Sequence, residues 1–149
     1  MSRSLQTRSP LTLSQLAAPL ALLPLVAVTG CASPPPGSAS AVVTYVDESG
    51  EQQRVEVAVD SAQCDTEDPR RLGTADETIV MLVGSAGDTT MRVHLGDDLS
   101  FLAQTTASAT RTGLEVADVP GTIVRSGISG TQTRISSDAT LSAKVVCPG

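Results

Sequence analysis

Few side chains in this sequence could do chemistry, and their spacing narrows what that chemistry could be. The chain of 149 residues holds one histidine and three cysteines, with 16 acidic side chains against 10 basic ones. His94 lies close to Asp97 and Asp98, a trio that could bind a divalent cation or act as a weak acid–base pair. The same residues read more simply as an outward-facing histidine followed by a Gly96-Asp97-Asp98 turn. A Ser-His-Asp relay would have to use this histidine, yet no serine sits in a Gly-x-Ser-x-Gly elbow. One histidine also cannot furnish a multi-histidine metal site. Asp65, Glu67, Asp68, Asp76 and Glu77 could hold calcium loosely. Without EF-hand spacing they read as a solvated acidic loop, with Arg70-Arg71 balancing charge locally. Gly84, Gly87, Gly127 and Gly130 lack the Gly-Lys-Ser/Thr ending of a phosphate loop. No catalytic residue, metal or cofactor is expected, and the chain reads as non-enzymatic. A net charge of −6 argues against nucleic acid as a partner, and Tyr45 and Phe101 are too few aromatics for base stacking.

The cysteines are more informative. Arg3 and Arg8 are the only charges before Asp47, and Leu16 to Val28 is an unbroken apolar run containing Pro19 and Pro24. That run falls short of the ~20 residues a spanning helix needs, and proline inside a helix costs ~3 kcal/mol. A cationic start, a short apolar stretch and small residues at its end describe a secretory signal peptide, here residues 1–30. Val28-Thr29-Gly30-Cys31 closes it and resembles a bacterial lipobox. There a thiolate takes a diacylglycerol, a small residue such as Gly30 admits the transferase and peptidase, and cleavage falls between Gly30 and Cys31. Several acyl chains hold a protein to a membrane durably, since each buried CH₂ contributes ~0.8 kcal/mol. The expected location is the extracytoplasmic face of the cell membrane. Losing Arg3 and Arg8 would move the net charge from −6 to −8.

Cys64 and Cys147 then remain. An even pair in an exported chain is most simply a disulfide. Two distant thiols are too few for a metal site, and a redox pair would more often be Cys-x-x-Cys.

The elements that position these groups follow from periodicity. Ala32 to Ala41 has no charge and no large apolar residue and contains Pro34-Pro35-Pro36, so residues 31–41 read as a lipidated cysteine and a tether reaching ~30 Å. The β-domain is expected over 42–149. Val42–Val46, the Asp47-Glu48-Ser49-Gly50 cluster and Val55, Val57 and Val59 predict a hairpin. Asp65–Glu77 reads as a loop. Ile79–Val83 reads as a central strand covered on both faces. Met91, Val93 and Leu95 should point inward, with Arg92 and His94 outward. Leu99 with Phe101, Leu114 with Val116, and Ile123 give shorter strands, although Ser100–Thr112 could instead hold a short helix. Thr131, Thr133 and Ile135 make a weak polar strand, and Leu141, Ala143, Val145 and Cys147 share one face of the last. The expected fold is all-β, a small antiparallel sandwich or barrel of about eight short strands.

Together, the lipobox, the low-complexity tether and the two later cysteines resemble the mycobacterial lipoprotein antigen family, the LpqH-like surface lipoproteins. The matching stretches are Val42–Cys64 and Ile123–Cys147. The second carries Ile-Val-Arg-Ser-Gly-Ile-Ser-Gly and closes with Ala-Lys-Val-Val-Cys-Pro-Gly. The acidic 65–77 segment and the apolar 79–83 run depart from the family texture. The resemblance implies an acylated, envelope-exposed antigen whose partners are an envelope component or a host lipopeptide receptor. Only Cys31, Cys64 and Cys147 carry over. The expected function is a non-enzymatic, membrane-anchored envelope lipoprotein. The alternative is a carrier of lipid or another apolar ligand, whose interior would need an apolar cavity of ~300 Å³ or more.

Overall fold

Alternating valines around the Asp47–Gly50 cluster form a hairpin of β1 (Ser38–Val46) and β2 (Gln52–Val59) in the computed structural model, which describes residues 36–149. Asp47 organises the turn. Its carboxylate accepts from the Ser49 hydroxyl at 2.6 Å, the Gln53 amide at 2.7 Å and the N–H groups of Ser49 and Glu51 at 2.9 and 3.0 Å. Those donors favour the charged form, the Ser49 hydroxyl most strongly, and hold its pKa down to about 2.

The chain continues through β3 (Gln63–Cys64), β4 (Arg70–Gly73), β5 (Ile79–Val83), β6 (Asp88–Gly96), β7 (Leu99–Thr106), β8 (Gly113–Ser126) and β9 (Gln132–Val146). All nine pair antiparallel in one sheet ordered β2-β1-β9-β8-β7-β6-β5-β4-β3. The fold of the described residues is therefore all-β, its sheet curled into a half-barrel. Chain connectivity dictates the curl. β2 and β3 occupy opposite edges, yet only Asp60, Ser61 and Ala62 separate them. That link reaches at most ~14 Å, whereas nine strands laid flat would set their edges ~38 Å apart. A flat sheet is impossible. The curl is assisted where β8 and β9 slip register at Val116/Val119, Gly121/Ile123 and Ile123/Val124, because bulges bend and twist a strand.

One face of each strand lines the interior. Val43, Leu72, Ile79, Met81, Met91, Val93, Phe101, Ile123 and Leu141 are fully buried. At Gly121 the backbone passes so close to the Phe101 ring that a Cβ there would collide with it, so Phe101 covers the glycine as a side chain would. Thr89, also buried, shares its hydroxyl between the carbonyls of Gly87 and Ala107 at 3.2 Å each.

Several expectations are corrected. β1 begins at Ser38, so residues 38–41 belong to the sheet and not to a tether. Ala39 and Ala41 are buried opposite Val145 and Ala143 of β9. The 65–77 segment contains β4, paired to β5 through Arg70–Gly73. β5 is covered on one face only: Ile79, Met81 and Val83 point inward, while Leu82 is 38% exposed on the outside. Ser100–Thr112 holds β7 and the following loop in place of a helix. Leu114, Val116 and Ile123 lie on a single strand, as do Thr133 and Leu141. The hairpin, the inward Met91 and Val93 and the alternation of the last strand stand as expected.

Candidate functional site

His94 ends up on the outer face of β6, opposite Ser100 of β7, with Nδ1 3.5 Å from the Ser100 hydroxyl. Asp97 and Asp98 form the two-residue turn between those strands, closed by Gly96 opposite Leu99. Their φ values of 45° and 65° match the left-handed pair a type I′ hairpin turn requires, and aspartate is among the residues that tolerate it. The turn explains both carboxylates. Asp98 shares with His94, Ser100, Asp76 and Arg92 an open polar cleft of about 320 Å³, but the one hydrogen bond of the His94 ring among the described residues goes to Ser100. A relay needs a carboxylate on the second ring nitrogen to orient it, and this contact is a hydroxyl and an imidazole side by side on an exposed strand pair.

The acidic segment is divided among separate tasks. Asp76 accepts from the Thr74 hydroxyl at 2.5 Å and the Thr78 N–H at 3.1 Å. The Thr74 hydroxyl is the main cause of its pKa falling to about 2. Glu77 sits at φ 61°, where a non-glycine residue is strained, and spans two strands. One carboxylate oxygen takes Arg71 of β4 at 2.7 Å and the other takes Arg92 of β6 at 3.1 Å. Arg71, its strongest donor, and then Arg92 hold its carboxyl below the usual range. Arg70 binds backbone instead, its guanidinium donating to the carbonyls of Asp65, Ala109 and Thr110 at 3.1–3.3 Å. Arg71 thus acts as the local balance the sequence suggests, while the reach of Arg92 across β5 to Glu77 was not visible in it. No group of three or more His, Cys, Asp or Glu side chains among the described residues is arranged to hold a metal ion.

Beside this bridge, Val80, Leu82 and Leu102 form an apolar strip on the outer face, flanked by Arg71 and Arg92 in a shallow groove of about 360 Å³. A second open cleft, of about 370 Å³, lies between the 66–70 loop and the Gly84–Gly87 turn. Neither groove is lined by the fully buried side chains that occupy the interior.

Cys64 and Cys147 are joined by a disulfide, their Cα atoms 5.7 Å apart and their positions separated by 83 residues. It ties β3 at one edge of the sheet to the end of β9, two strands in from the other edge, so it bridges the mouth of the half-barrel. A hydrogen bond from Ala62 N–H to the Gly37 carbonyl at 3.1 Å lies alongside in the same closure. The lipidation and cleavage residues Gly30 and Cys31, with the whole of 1–30, lie outside the described residues. No helix among the described residues is long and apolar enough to cross a membrane. A scan against protein-family models finds no matching family, and searches of curated proteins and of solved structures find no match.

Proposed function

We propose that this chain is exported, acylated at Cys31 and held at the extracytoplasmic face of the cell membrane. There its β-domain serves as a non-enzymatic surface for interaction or envelope structure. The observation that carries the reading is Val28-Thr29-Gly30-Cys31 at the end of a cationic, short and proline-interrupted apolar leader. The cysteine chemistry supports it. The Cys64–Cys147 disulfide belongs to an oxidising compartment and accounts for two of the three cysteines, leaving Cys31 as the thiol for a lipid. Two or more acyl chains give durable anchoring without a span. The interaction surface would be the outer face of the sheet, and the partner an envelope component or, following the LpqH-like resemblance, a host lipopeptide receptor. The interior offers the lipid-carrier alternative no support, because buried side chains occupy it.

Fractionation of cells making the Cys31→Ala chain tests the proposal. The protein should move from the membrane fraction to the soluble or secreted one while Cys64–Cys147 still forms. Membrane retention equal to that of the wild type overturns lipid anchoring.

A further inference from the structure

Among the described residues β2 is the long open edge of the sheet. There its eight residues pair with β1 on one side only, whereas the opposite edge is the two-residue β3, tied down by the disulfide. An edge strand leaves every second pair of backbone N–H and C=O groups pointing sideways. The turn decides which ones. Asp47 N–H donates to the Glu51 carbonyl at 2.9 Å, so residues 47 and 51 are a bonded pair. Alternating from it, Gln53, Val55, Val57 and Val59 exchange their bonds with β1. Gln52, Arg54, Glu56 and Ala58 therefore turn their backbone groups outward, and all four side chains are exposed, while Val55 and Val57 are half-buried at the rim of the interior.

We propose that β2 docks antiparallel against β2 of a second copy of this chain. Three registers bring the strand centres together with outward groups facing outward groups. A two-fold axis through Arg54 sets two arginines face to face, and an axis through Glu56 does the same to two glutamates. An axis through Val55 sets Arg54 of each copy opposite Glu56 of the other and Gln52 opposite Ala58. Opposite charges across a strand pair are favourable and like charges unfavourable, so charge selects the third register. It makes four bonded residue pairs, about eight N–H···O bonds at two per pair. It also lays Val55 against its counterpart and Gln53 against Val57, covering the half-buried valines. Within one chain Arg54 already donates to Glu56 at 2.7 and 2.9 Å, and docking extends that pair into a ladder of four alternating charges. The inference is independent of the lipid anchor.

Sedimentation of the full chain in detergent solution, over rising protein concentration, tests it. The wild type should dimerise. Arg54→Glu and Glu56→Arg should each weaken the dimer at least ~10-fold, since each replaces both cross-strand attractions by repulsions. An equimolar mixture of the two single variants should dimerise again, because the mixed pair restores opposite charges across the axis. The double exchange R54E/E56R should do so alone, and circular dichroism of each variant should match the wild type. A wild type that stays monomeric, a dimer that survives either single exchange, or correctly folded variants that fail to recombine would each overturn the proposal.

Discussion

Replacing both Cys64 and Cys147 by alanine should destabilise the domain by ~4.5 kcal/mol. The figure follows from the 83-residue separation of the bonded cysteines, because a cross-link removes loop-closure entropy from the unfolded chain in proportion to the logarithm of loop length. The bond also spans the mouth of the half-barrel, beside the 60–62 link and the Ala62–Gly37 hydrogen bond. For a domain of this size ~1 kcal/mol corresponds to ~4 °C, giving a fall in Tm of ~18 °C. Such a loss rivals the whole stability of a typical domain, ~5–15 kcal/mol. The assay is urea unfolding of the full chain followed by circular dichroism, with the wild type reduced by thiol as a second route to the same state. A loss below ~1 kcal/mol by both routes would refute the reasoning, since the disulfide would then constrain an unfolded ensemble already held compact.

Phe101, fully buried beneath Gly121, should cost ~3–5 kcal/mol when cut to alanine. Gly121→Ala should cost ~1–3 kcal/mol in the wild type through overpacking against that ring and the Leu102 carbonyl, and less in the Phe101→Ala background, where the carbonyl contact alone remains. Equal costs in both backgrounds, measured by urea midpoints, would contradict the contact. Acid should act through Asp47 and Asp76, whose pKa values fall to about 2 from 3.8. Their folded-state values lie below the unfolded ones, so the stability they add is intact above pH 3.8 and is lost as pH drops from there toward 2. Asp47→Asn and Asp76→Asn should each flatten that limb of the urea midpoint against pH, and an unchanged slope would contradict the turn hydrogen bonds.

How much of this was legible depends on what sat on the outward positions. Val55 and Val57 alternate with Arg54 and Glu56, and Met91 and Val93 with Arg92 and His94, so period two announced β2 and β6. Val80 and Leu82 are apolar although they face outward on β5, which erased the alternation and suggested a strand covered on both faces. β4 was hidden because two arginines and a glycine are three of its four residues, and pairing with β5, not composition, makes it a strand. Val116 and Ile123 read as separate short strands, yet β8 runs through Pro120 between them, beside a bulge where Asp118 adopts φ 50° and its N–H reaches Ser142, a place where a missing donor is tolerated. Ala39 and Ala41 resembled tether composition because they are small and uncharged, yet both are buried in the sheet opposite Val145 and Ala143 of β9. Of the candidate site, the disulfide followed from cysteine count and compartment, and Asp97-Asp98 from turn chemistry. The Arg71–Glu77–Arg92 bridge was unreadable because a strand intervenes between its arginines.

The lipid anchor is tested most directly by intact-mass measurement of the chain purified from membranes. The mass should correspond to a polypeptide beginning at Cys31, increased by a diacylglycerol and with two protons missing for the disulfide. A chain still beginning at Met1, or one beginning at Cys31 with an unmodified thiol, would contradict the account.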